Sequence, residues 1–325
     1  MSRRIGKIRD AIVNQLVGVN VRTTTAAFHE YLEYEELHRG EWRAPLEHMK
    51  AATHEEFEYL RRRMVAQTEV LRRQLDDLER LRSELAQIRR TPQYAMVFQD
   101  PEPLVSVRIA SYSKTEELID VALASVLAQT YERFEIVVVN DGPNERTRRA
   151  IAALGDSRIS FHELEQRGSY PEDSRSRWMV AGTPAANRAA RLSTGSWIAP
   201  LDDDDEFTPD HIEKLVSLAR SQHAELAYGA LVQKNLVTGD EVRIWSEPPM
   251  ISQFSFQGAL YLRQLADVFE YSIDAWLLDE PGDWNLIRRM TQAGVSMAAT
   301  SDVVATMNMI PYTHKDLPLE PTDQT

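Results

Sequence analysis

The stretch that decides the predicted fold is Trp197–Phe207, WIAPLDDDDEF. It opens with a short apolar run, and four adjacent aspartates, Asp202–Asp205, follow directly. A helix is predicted over Pro209–Gln222, because Thr208 suits its N-cap and Pro209 its first helical position. The acids therefore lie at the carboxyl end of a buried strand. In an open α/β sheet, this edge is where ligands bind.

The four neighbouring carboxylates repel one another, so the cluster needs a compensating charge. A divalent cation that holds a pyrophosphate supplies this charge, because hard cations take oxygen ligands and bridge carboxylates to phosphates. The predicted ion is Mn²⁺ or Mg²⁺. A solvated acidic turn is the alternative, but the apolar strand before the cluster and the capped helix after it favour a ligand site.

The composition excludes several classes of protein. The chain of 325 residues contains no cysteine, which excludes disulfides and thiolate metal sites. No apolar run approaches the ~20 residues that span a bilayer. The N-terminus does not resemble a signal peptide, so we expect a soluble, cytoplasmic protein. The net charge is −13, and the excess of acidic residues lies in the part of the chain after residue 90. This acidic charge argues against nucleic acid as a partner.

A long amphipathic helix is predicted over residues 46–90, which contain no glycine or proline. The apolar residues that recur at every seventh position are Phe57, Met64, Leu71, Leu78 and Leu85. This partial heptad pattern is typical of coiled coils. Two interpretations stay open. Residues 46–90 form a homodimer with a second copy of the chain, or the helix folds back onto the domain that follows.

Strand and helix patterns alternate after the long helix. Strands are predicted over Leu104–Ala110 and Phe134–Val139, with a helix over Thr115–Ala128 between them. Phe134–Val139 is apolar almost throughout, as expected for a strand that is buried on both faces of a sheet. Residues 165–183 are polar and are predicted to form a mobile loop. The series implies an α/β fold with a Rossmann-like, mostly parallel sheet flanked by helices.

Three motifs of this region resemble the inverting family 2 glycosyltransferases, which have the GT-A fold. They are ASYSKTEELIDVALASVLAQTYERFEIVVVNDGP at residues 110–143, AANRAARLSTGSWIAPLDDDDEF at 185–207 and GDWNLIRRMTQAG at 282–294. Their order and spacing match the family over residues 103–310. The resemblance implies a metal-dependent enzyme that moves a sugar from a nucleotide sugar, expected to be a UDP-sugar. The acceptor is a hydroxyl of a glycan, a protein or a lipid-linked molecule.

The resemblance also divides the chain. Residues 1–92 are predicted to be a helical, coiled-coil extension that is unrelated to the family. Residues 93–103 are predicted to be a proline-containing linker. The GT-A catalytic domain is predicted over residues 104–310, and residues 311–325 form a polar tail.

Roles for single residues follow from the same resemblance. The residues assigned to the nucleotide sugar are Ser111, Tyr112, Asp141, Asn187, Asp202 and Asp203. Tyr112 offers a flat ring to the base, and the Asp141 carboxylate accepts the uracil N–H. Asp204 is the expected metal ligand, and His314 completes the metal shell. The family often has an arginine before Asn187, which this chain lacks. The candidates to replace it are Arg175, Arg177 and Arg188.

The family's catalytic base corresponds to Asp283, which takes the proton of the acceptor hydroxyl. The resemblance implies that Asp283 faces the acid cluster across a cleft. An aspartate before Trp284 is also an ordinary helix N-cap, and Glu280 is the next candidate for the base. The aromatic residues expected in an acceptor groove are Trp245, Trp276, Phe254 and Tyr261.

Two other functions compete with this interpretation. A nucleotidyltransferase can share this kind of sheet and acidic site, but ASYSKTEE lacks the glycine-rich loop that is typical of those enzymes. A non-catalytic coiled-coil scaffold with a relic nucleotide-binding domain is the second alternative. The presence of Asp141, Asp202–Asp205 and Asp283 together argues against the scaffold.

Overall fold

A computed structural model describes residues 43–309 of the chain. The chain divides between Val65 and Ala66 into two units, and the fold described below belongs to the second. None of the helices in the described range is long and apolar enough to cross a membrane. The helices are α1 Arg43–Ile88, α2 Pro92–Gln99, α3 at residues 115–127 with a π-helical part Leu118–Leu123, α4 Glu145–Leu154, α5 Ser174–Val180, α6 Thr183–Leu192, α7 His211–Gln222 and α8 Gly282–Ala293.

Within residues 43–309, nine strands form one sheet in the order β3-β2-β1-β4-β8-β6-β9-β5, and β7 pairs with β6. The strands are β1 Val105–Ser111, β2 Phe134–Asn140, β3 Ile159–Glu163, β4 Trp197–Asp202, β5 Glu206–Phe207, β6 Leu226–Asn235, β7 Glu241–Ile244, β8 Ala259–Leu262 and β9 Met297–Met309.

The first four strands in this order are parallel. The register pairs Ser111 of β1 with Asn140 of β2, and Ala110 of β1 with Asp202 of β4. The carboxyl ends of three neighbouring strands therefore meet at one edge. This is the edge at which open α/β sheets bind ligands.

The middle of β2 is buried on both faces, as its apolar sequence predicts. Ile136 and Val138 belong to the main hydrophobic core. Val137 and Val139 belong to a second cluster, which includes two small alanines of α6. Helices thus cover both sides of the parallel half of the sheet, which confirms the predicted α/β class.

The second half of the sheet is mixed rather than parallel. β8 is antiparallel to both β4 and β6, while β6 and β9 are parallel to each other. After β6 the chain turns back directly into β7 and reaches β8 without a crossover helix, which a parallel connection requires. The predicted mostly parallel arrangement therefore describes β3-β2-β1-β4, and β6 with β9 adds one further parallel pair.

The part of α1 from Ala66 onward packs against the sheet domain. Leu81 and Leu85 are buried in the main core, and Leu78 is partly buried against it. Leu71 and Leu75 remain 46% and 66% exposed. In a straight α-helix, a row of residues at every seventh position gradually turns around the helix axis. The sheet domain, which packs on one side of α1, therefore covers only part of this row. Folding back, one of the two interpretations left open by the sequence, therefore holds for this segment.

An ion pair between the partly exposed Arg89 and the buried Glu225 fixes the residues that follow α1. Glu225 is fully buried, and its carboxylate accepts from Arg89 Nε at 2.7 Å and Arg89 Nη2 at 2.8 Å. The Tyr94 hydroxyl and the Ser296 backbone N–H donate to the same carboxylate. Several charge-assisted bonds therefore hold this connection to the sheet domain.

Two predicted irregular segments contain helices. Residues 93–103, the predicted linker, contain most of α2, because the Thr91 side chain caps this helix at its N-terminus. Phe98 of α2 is buried in the main core. Residues 165–183, the predicted loop, contain α5, which the Asp173 side chain caps in the same way.

Candidate active site

A cavity of about 750 Å³ opens at the carboxyl edge of the parallel strands. The acid turn, defined here as Asp202–Asp205, lines it together with the first residues of α8. Parallel register explains this position, because the end of β4 lies beside the end of β1. The sequence-predicted residues that line the cavity are Ser111, Tyr112, Asp141, Asp202, Asp203, Asp204 and Asp283.

The first two aspartates of the acid turn accept hydrogen bonds from the protein. Asp202 is the last residue of β4 and accepts from Gln257 Nε2 at 2.5 Å. Asp203 is buried and accepts from the backbone N–H of Tyr112 at 3.4 Å. The acid turn is thereby tied to the residue that follows β1.

The last two aspartates are held by other elements. Asp204 forms an ion pair with Lys114, which lies just before α3. Asp205 is buried and accepts from the backbone N–H of Asn308 in β9 at 2.7 Å. The Asn308 side chain also donates to the Asp204 carbonyl at 2.9 Å.

The acid turn holds more negative charge than its neighbours compensate. Burial, and then the nearby Asp202, raise the pKa of Asp205 to about 9. Burial raises the pKa of Asp203 to about 6, although Lys114 opposes this shift. The surrounding protein and the charge of Asp283 also raise the pKa of Asp202, whose carboxylate stays open to water in the cavity. A cation entering the cavity relieves this repulsion.

The donor set fits a divalent cation that is shared with a ligand. Carboxylate oxygens suit Mg²⁺ and Mn²⁺, and the counter-ion of Asp204 is a half-exposed lysine side chain. In the described part of the chain, no three acidic or imidazole side chains form a ready metal site. A divalent cation at the acid turn would need further oxygen ligands, of the kind a diphosphate offers, as is usual for magnesium. His314 lies outside the described residues.

The ring of Tyr112 faces a basic group. The Arg167 guanidinium carbon lies 4.0 Å from the ring centroid, and Tyr112 is 45% exposed. The basic side chains that line the cavity are those of Arg108, Lys114 and Arg167. The described residues that line the cavity do not include the three candidate arginines, Arg175, Arg177 and Arg188.

Lys114 and Arg167 were missed by sequence reasoning. Lys114 follows Tyr112 by two residues, and this proximity to a predicted site residue was a usable signal. Arg167 lies in a polar segment without a recognisable motif, so no local signal was available for it.

Asp141 is buried beside Arg167 and already has protein partners. Its Oδ1 accepts from the Gly168 backbone N–H at 2.8 Å, and its Oδ2 accepts from the Tyr170 hydroxyl at 2.6 Å. Burial and the Asp141 charge raise the pKa of Tyr170, which keeps this hydroxyl a donor. Each carboxylate oxygen has a second lone pair, so Asp141 retains the capacity to accept from a base.

Asn187 lies in α6 but is missing from the cavity lining within residues 43–309. Its Nδ2 donates to the Tyr271 carbonyl and its Oδ1 accepts from the Tyr271 backbone N–H, both at 2.9 Å. Both polar atoms of the amide are therefore engaged with one backbone unit. The direct contact of Asn187 with the nucleotide sugar stays a prediction, and in this structure its amide holds the Tyr271 backbone.

Asp283 lies in the first turn of α8, which begins at Gly282 with Pro281 in the N-cap position. Its side chain does not cap this helix, so the N-cap interpretation is wrong. Its Oδ1 accepts from the Tyr271 hydroxyl at 3.0 Å, and its Oδ2 accepts from the Phe256 backbone N–H at 2.9 Å.

Glu280, the alternative base, is occupied elsewhere. It accepts from Arg288 at 2.9 Å and from the Asn285 side chain at 2.7 Å. Within the described chain it does not line the cavity. The geometry therefore favours Asp283 over Glu280 as the group that an acceptor can reach.

Two side chains connect Asp283 to the acid turn. Ser255 Oγ lies 2.6 Å from both Asp283 Oδ2 and Gln257 Oε1, and Gln257 donates to Asp202. The two carboxylates thus lie on one polar network rather than on unconnected walls of a cleft. Ser255 and Gln257 were also missed, because they lie in an irregular segment far from either acid in sequence.

Of the four aromatic residues predicted for an acceptor groove, one lines the cavity. Phe254 lines the cavity, but Tyr261 is buried in the core. Trp245 and Trp276 are partly buried against hydrophobic clusters away from the lining. The tryptophans that line the cavity are Trp178, which is 53% exposed, and Trp284.

Comparisons with known proteins point to one family. The family model described as "Glycosyl transferase family 2" matches residues 106–276, more than half of the chain. A curated relative is the UDP-Glc:alpha-D-GlcNAc-diphosphoundecaprenol beta-1,3-glucosyltransferase WfgD of Escherichia coli, 28% identical over 42% of this chain and 49% of its own length. A glucosyl-dolichyl phosphate glucuronosyltransferase of Haloferax volcanii is 36% identical over 39% of this chain and 38% of its own length.

Among solved structures, S. aureus TarS has a TM-score of 0.49 and 15% identity, over 63% of this chain and 36% of that chain. The chain spans half or less of the length of the curated relatives named above. The family match covers β1 from Ser106 onward, Asp141 and the acid turn, and it ends at Trp276, before Asp283. On the strength of this match, the chain belongs to glycosyl transferase family 2.

Proposed function

We propose that this chain transfers a sugar from a UDP-sugar to an acceptor hydroxyl with inversion of the anomeric centre. The supporting observation is one cavity that the acid turn and Asp283 line together. Charge on a departing diphosphate needs electrostatic compensation, and an acceptor hydroxyl needs a base. The two requirements are met by different groups of the same cavity.

Asp283 is the proposed base. A sugar hydroxyl is far too weak an acid to ionise at neutral pH, so its proton has to leave as the attack proceeds. Asp283 Oδ1 accepts one hydrogen bond, from Tyr271, and retains a lone pair for the acceptor hydroxyl. The hydroxyl oxygen then bonds to the anomeric carbon while the bond to the nucleoside diphosphate breaks, and the proton goes to Asp283.

The proposed donor site lies at the other end of the network. Tyr112 and Arg167 offer an aromatic ring and a guanidinium plane to the base, and Asp141 accepts a base N–H. Asp202 and Asp203 lie closest to the ribose or the sugar. Asp204 would hold the divalent cation, which supplies positive charge to the diphosphate when it is bound. A UDP-linked donor is consistent with the name of the E. coli relative.

The acceptor in this proposal is a glycan, protein or lipid-linked hydroxyl, reached in the cytoplasm. Trp178 and Trp284 at the cavity provide apolar surface for it. We also propose that the exposed leucines of α1, Leu71 and Leu75, contact a second copy of the chain.

The proposal is tested with Asp283→Asn, which keeps the shape of the side chain and can still accept from the Phe256 N–H. We expect turnover to fall by about 10²–10⁴-fold, the usual value of general-base help, with UDP affinity and melting temperature nearly unchanged. UDP release from a panel of UDP-sugars, measured with an acceptor mixture, gives the rate, and titration calorimetry gives the affinity.

Asp267→Asn is a matched control, because Asp267 is an exposed aspartate that pairs with Arg263. Its rate should equal that of the wild type. A rate of Asp283→Asn within a few-fold of the wild type contradicts the assignment of the base. Release of a sugar 1-phosphate instead of UDP would identify a nucleotidyltransferase, because such an enzyme transfers the nucleotidyl group of the UDP-sugar.

A further inference from the structure

A buried arginine lies in the middle of β1, where its neighbours in the strand are apolar. Arg108 is only 3% exposed, between the fully buried Val107 and Ile109. Its side chain lines the cavity, and its Nη2 donates to the Tyr271 hydroxyl at 2.7 Å. The guanidinium carbon also lies 5.1 Å from the Tyr271 ring centroid.

This contact fixes the direction of the Tyr271 hydroxyl. An arginine donates and never accepts, so the single hydrogen of the hydroxyl has to point elsewhere. The acceptor in reach is Asp283 Oδ1, at 3.0 Å. Burial and the Asp283 charge raise the pKa of Tyr271 well above its usual value of 10, so the hydroxyl keeps its proton.

The backbone and ring of Tyr271 are held independently. Asn187 forms two hydrogen bonds with the backbone of Tyr271. A Cβ added at Gly282 would lie 3.3 Å from the Tyr271 ring, so α8 begins in close contact with it. Tyr271 therefore has little freedom to move away from Asp283.

A role in stability explains Arg108 poorly. Within residues 43–309, its Nε has no hydrogen-bond partner. A buried guanidinium with an unpaired N–H destabilises the fold, whereas an apolar side chain at the same position of a buried strand would stabilise it. The charged and polar groups around Arg108 are Tyr271, Tyr261, Asp202 and Asp283, so its charge acts on the residues next to the proposed base.

We propose that Arg108 and Tyr271 are positioning residues, which orient the Asp283 carboxylate through the Tyr271 hydroxyl so that its free lone pair meets the acceptor. This inference rests on the proposed function, because it assumes that Asp283 is the base. The Phe256 N–H fixes the other carboxylate oxygen. Orientation of this kind acts on the chemical step and leaves donor binding unchanged.

The test is a double-mutant cycle with Tyr271→Phe and Asp283→Asn. Tyr271→Phe removes only the hydroxyl, and we expect kcat to fall about 10-fold, the scale of one hydrogen bond to a charged group. The KM for the donor should stay within about twofold, since this bond acts after binding. In the Asp283→Asn background the same change should have no further effect, because its target is gone.

Two variants separate positioning from folding. Tyr228→Phe is the matched control, because Tyr228 is a buried tyrosine of the same sheet whose hydroxyl donates to the Ser246 carbonyl, outside the cavity lining that the structure describes. It should leave kcat unchanged. Arg108→Lys keeps the charge but loses the planar fork, and we expect kcat to fall with donor KM again unchanged.

The outcomes distinguish this inference from the proposed function. An unchanged kcat in Tyr271→Phe overturns it, as does an equal loss in both backgrounds, which would indicate an effect independent of Asp283. A loss of donor affinity in place of kcat overturns it too. If Asp283→Asn itself keeps full activity, the proposed function fails first, whatever Tyr271→Phe does.

Discussion

Asp204 differs from the other three aspartates of the acid turn in the kind of partner it has. Asp202, Asp203 and Asp205 accept hydrogen bonds from neutral amides, whereas Asp204 pairs with the flexible ammonium group of Lys114. A lysine on a mobile stem can leave more easily than a backbone amide. Asp204 is therefore the carboxylate that is best placed to exchange its partner for a metal ion.

We predict that Asp204→Ala loses turnover by about 100-fold or more, the scale of removing one charge-stabilising group. Excess EDTA should have the same effect on the wild type, and Mn²⁺ should restore it. The melting temperature of Asp204→Ala should not fall, because the change relieves repulsion within the acid turn. Turnover is followed by UDP release, and unfolding by circular dichroism.

Asp302→Ala provides the control for Asp204→Ala, because Asp302 is an exposed aspartate that pairs with Lys214 outside the cavity. A wild-type rate is expected for it. Activity that survives EDTA but is lost in Lys114→Met would show that Lys114, and no metal ion, compensates the diphosphate charge.

At the scale of elements, α1 combines two surfaces with different surroundings. Its end is anchored by the buried Glu225 and packed through Leu81 and Leu85. Leu71 and Leu75 remain exposed on the same helix. The first surface is expected to affect stability and the second self-association, so separate variants can distinguish them.

We predict that Glu225→Gln lowers the free energy of unfolding by about 2 kcal/mol. Removal of one partner from a buried pair destabilises by about 3–5 kcal/mol, and the 38% exposure of the Arg89 side chain reduces this figure. Urea unfolding measures this loss of stability.

We predict that the double change Leu71→Glu, Leu75→Glu leaves the free energy of unfolding unchanged, and that it reduces the mass measured by light scattering to that of one chain. A wild-type protein that is already monomeric at tens of micromolar would refute self-association through this surface.

At the scale of the whole molecule, the sequence predicted those features of the fold and the site that depend on residues close together in the chain. The acid turn, the βα order and the apolar β2 depend on local patterns, and the sheet register then brings Ser111, Asn140 and Asp202 to one edge. The sequence did not predict contacts between segments that are far apart in the chain. Arg108 and Tyr271 are 163 positions apart, and nothing in either local sequence indicates the other.

The position of the helical extension shows the same limit. A heptad pattern identifies a helix with an apolar row, but two different neighbours can cover such a row. The ion pair between Arg89 and the buried Glu225 favours packing of this segment onto the sheet domain. Among the described residues, Arg89 is the cation that pairs with the Glu225 carboxylate. The arginine and the glutamate lie 136 residues apart, so this choice could not be made from sequence.

His211 makes the stability of the whole fold depend on pH. It is fully buried, stacks on Phe207 with ring centroids 3.6 Å apart, and its Nδ1 bonds the Val304 carbonyl at 2.9 Å. Within residues 43–309 its Nε2 has no partner. Burial lowers the pKa of His211 from 6.5 to about 4, so the folded protein keeps this ring neutral at pH 5.

The sign of the effect follows from proton binding. Between pH 6.5 and 4, the unfolded chain binds a proton at His211 that the folded chain does not bind, so stability falls as the pH falls. The raised pKa values of Asp203 and Asp205 act in the opposite direction, since these groups favour the folded state as they gain protons. The wild-type profile alone therefore does not isolate His211, and a variant is needed.

We predict that His211→Phe removes about 2 kcal/mol of the loss in unfolding free energy between pH 7 and pH 5. Phenylalanine keeps the stacking on Phe207, and the Val304 carbonyl still accepts from the Thr208 backbone N–H at 3.0 Å. Urea unfolding of both proteins at pH 8, 7, 6 and 5 gives the comparison, with pH 8 as the reference at which the ring is neutral in both states. Parallel pH profiles for the two proteins would mean that His211 is not buried in its neutral form.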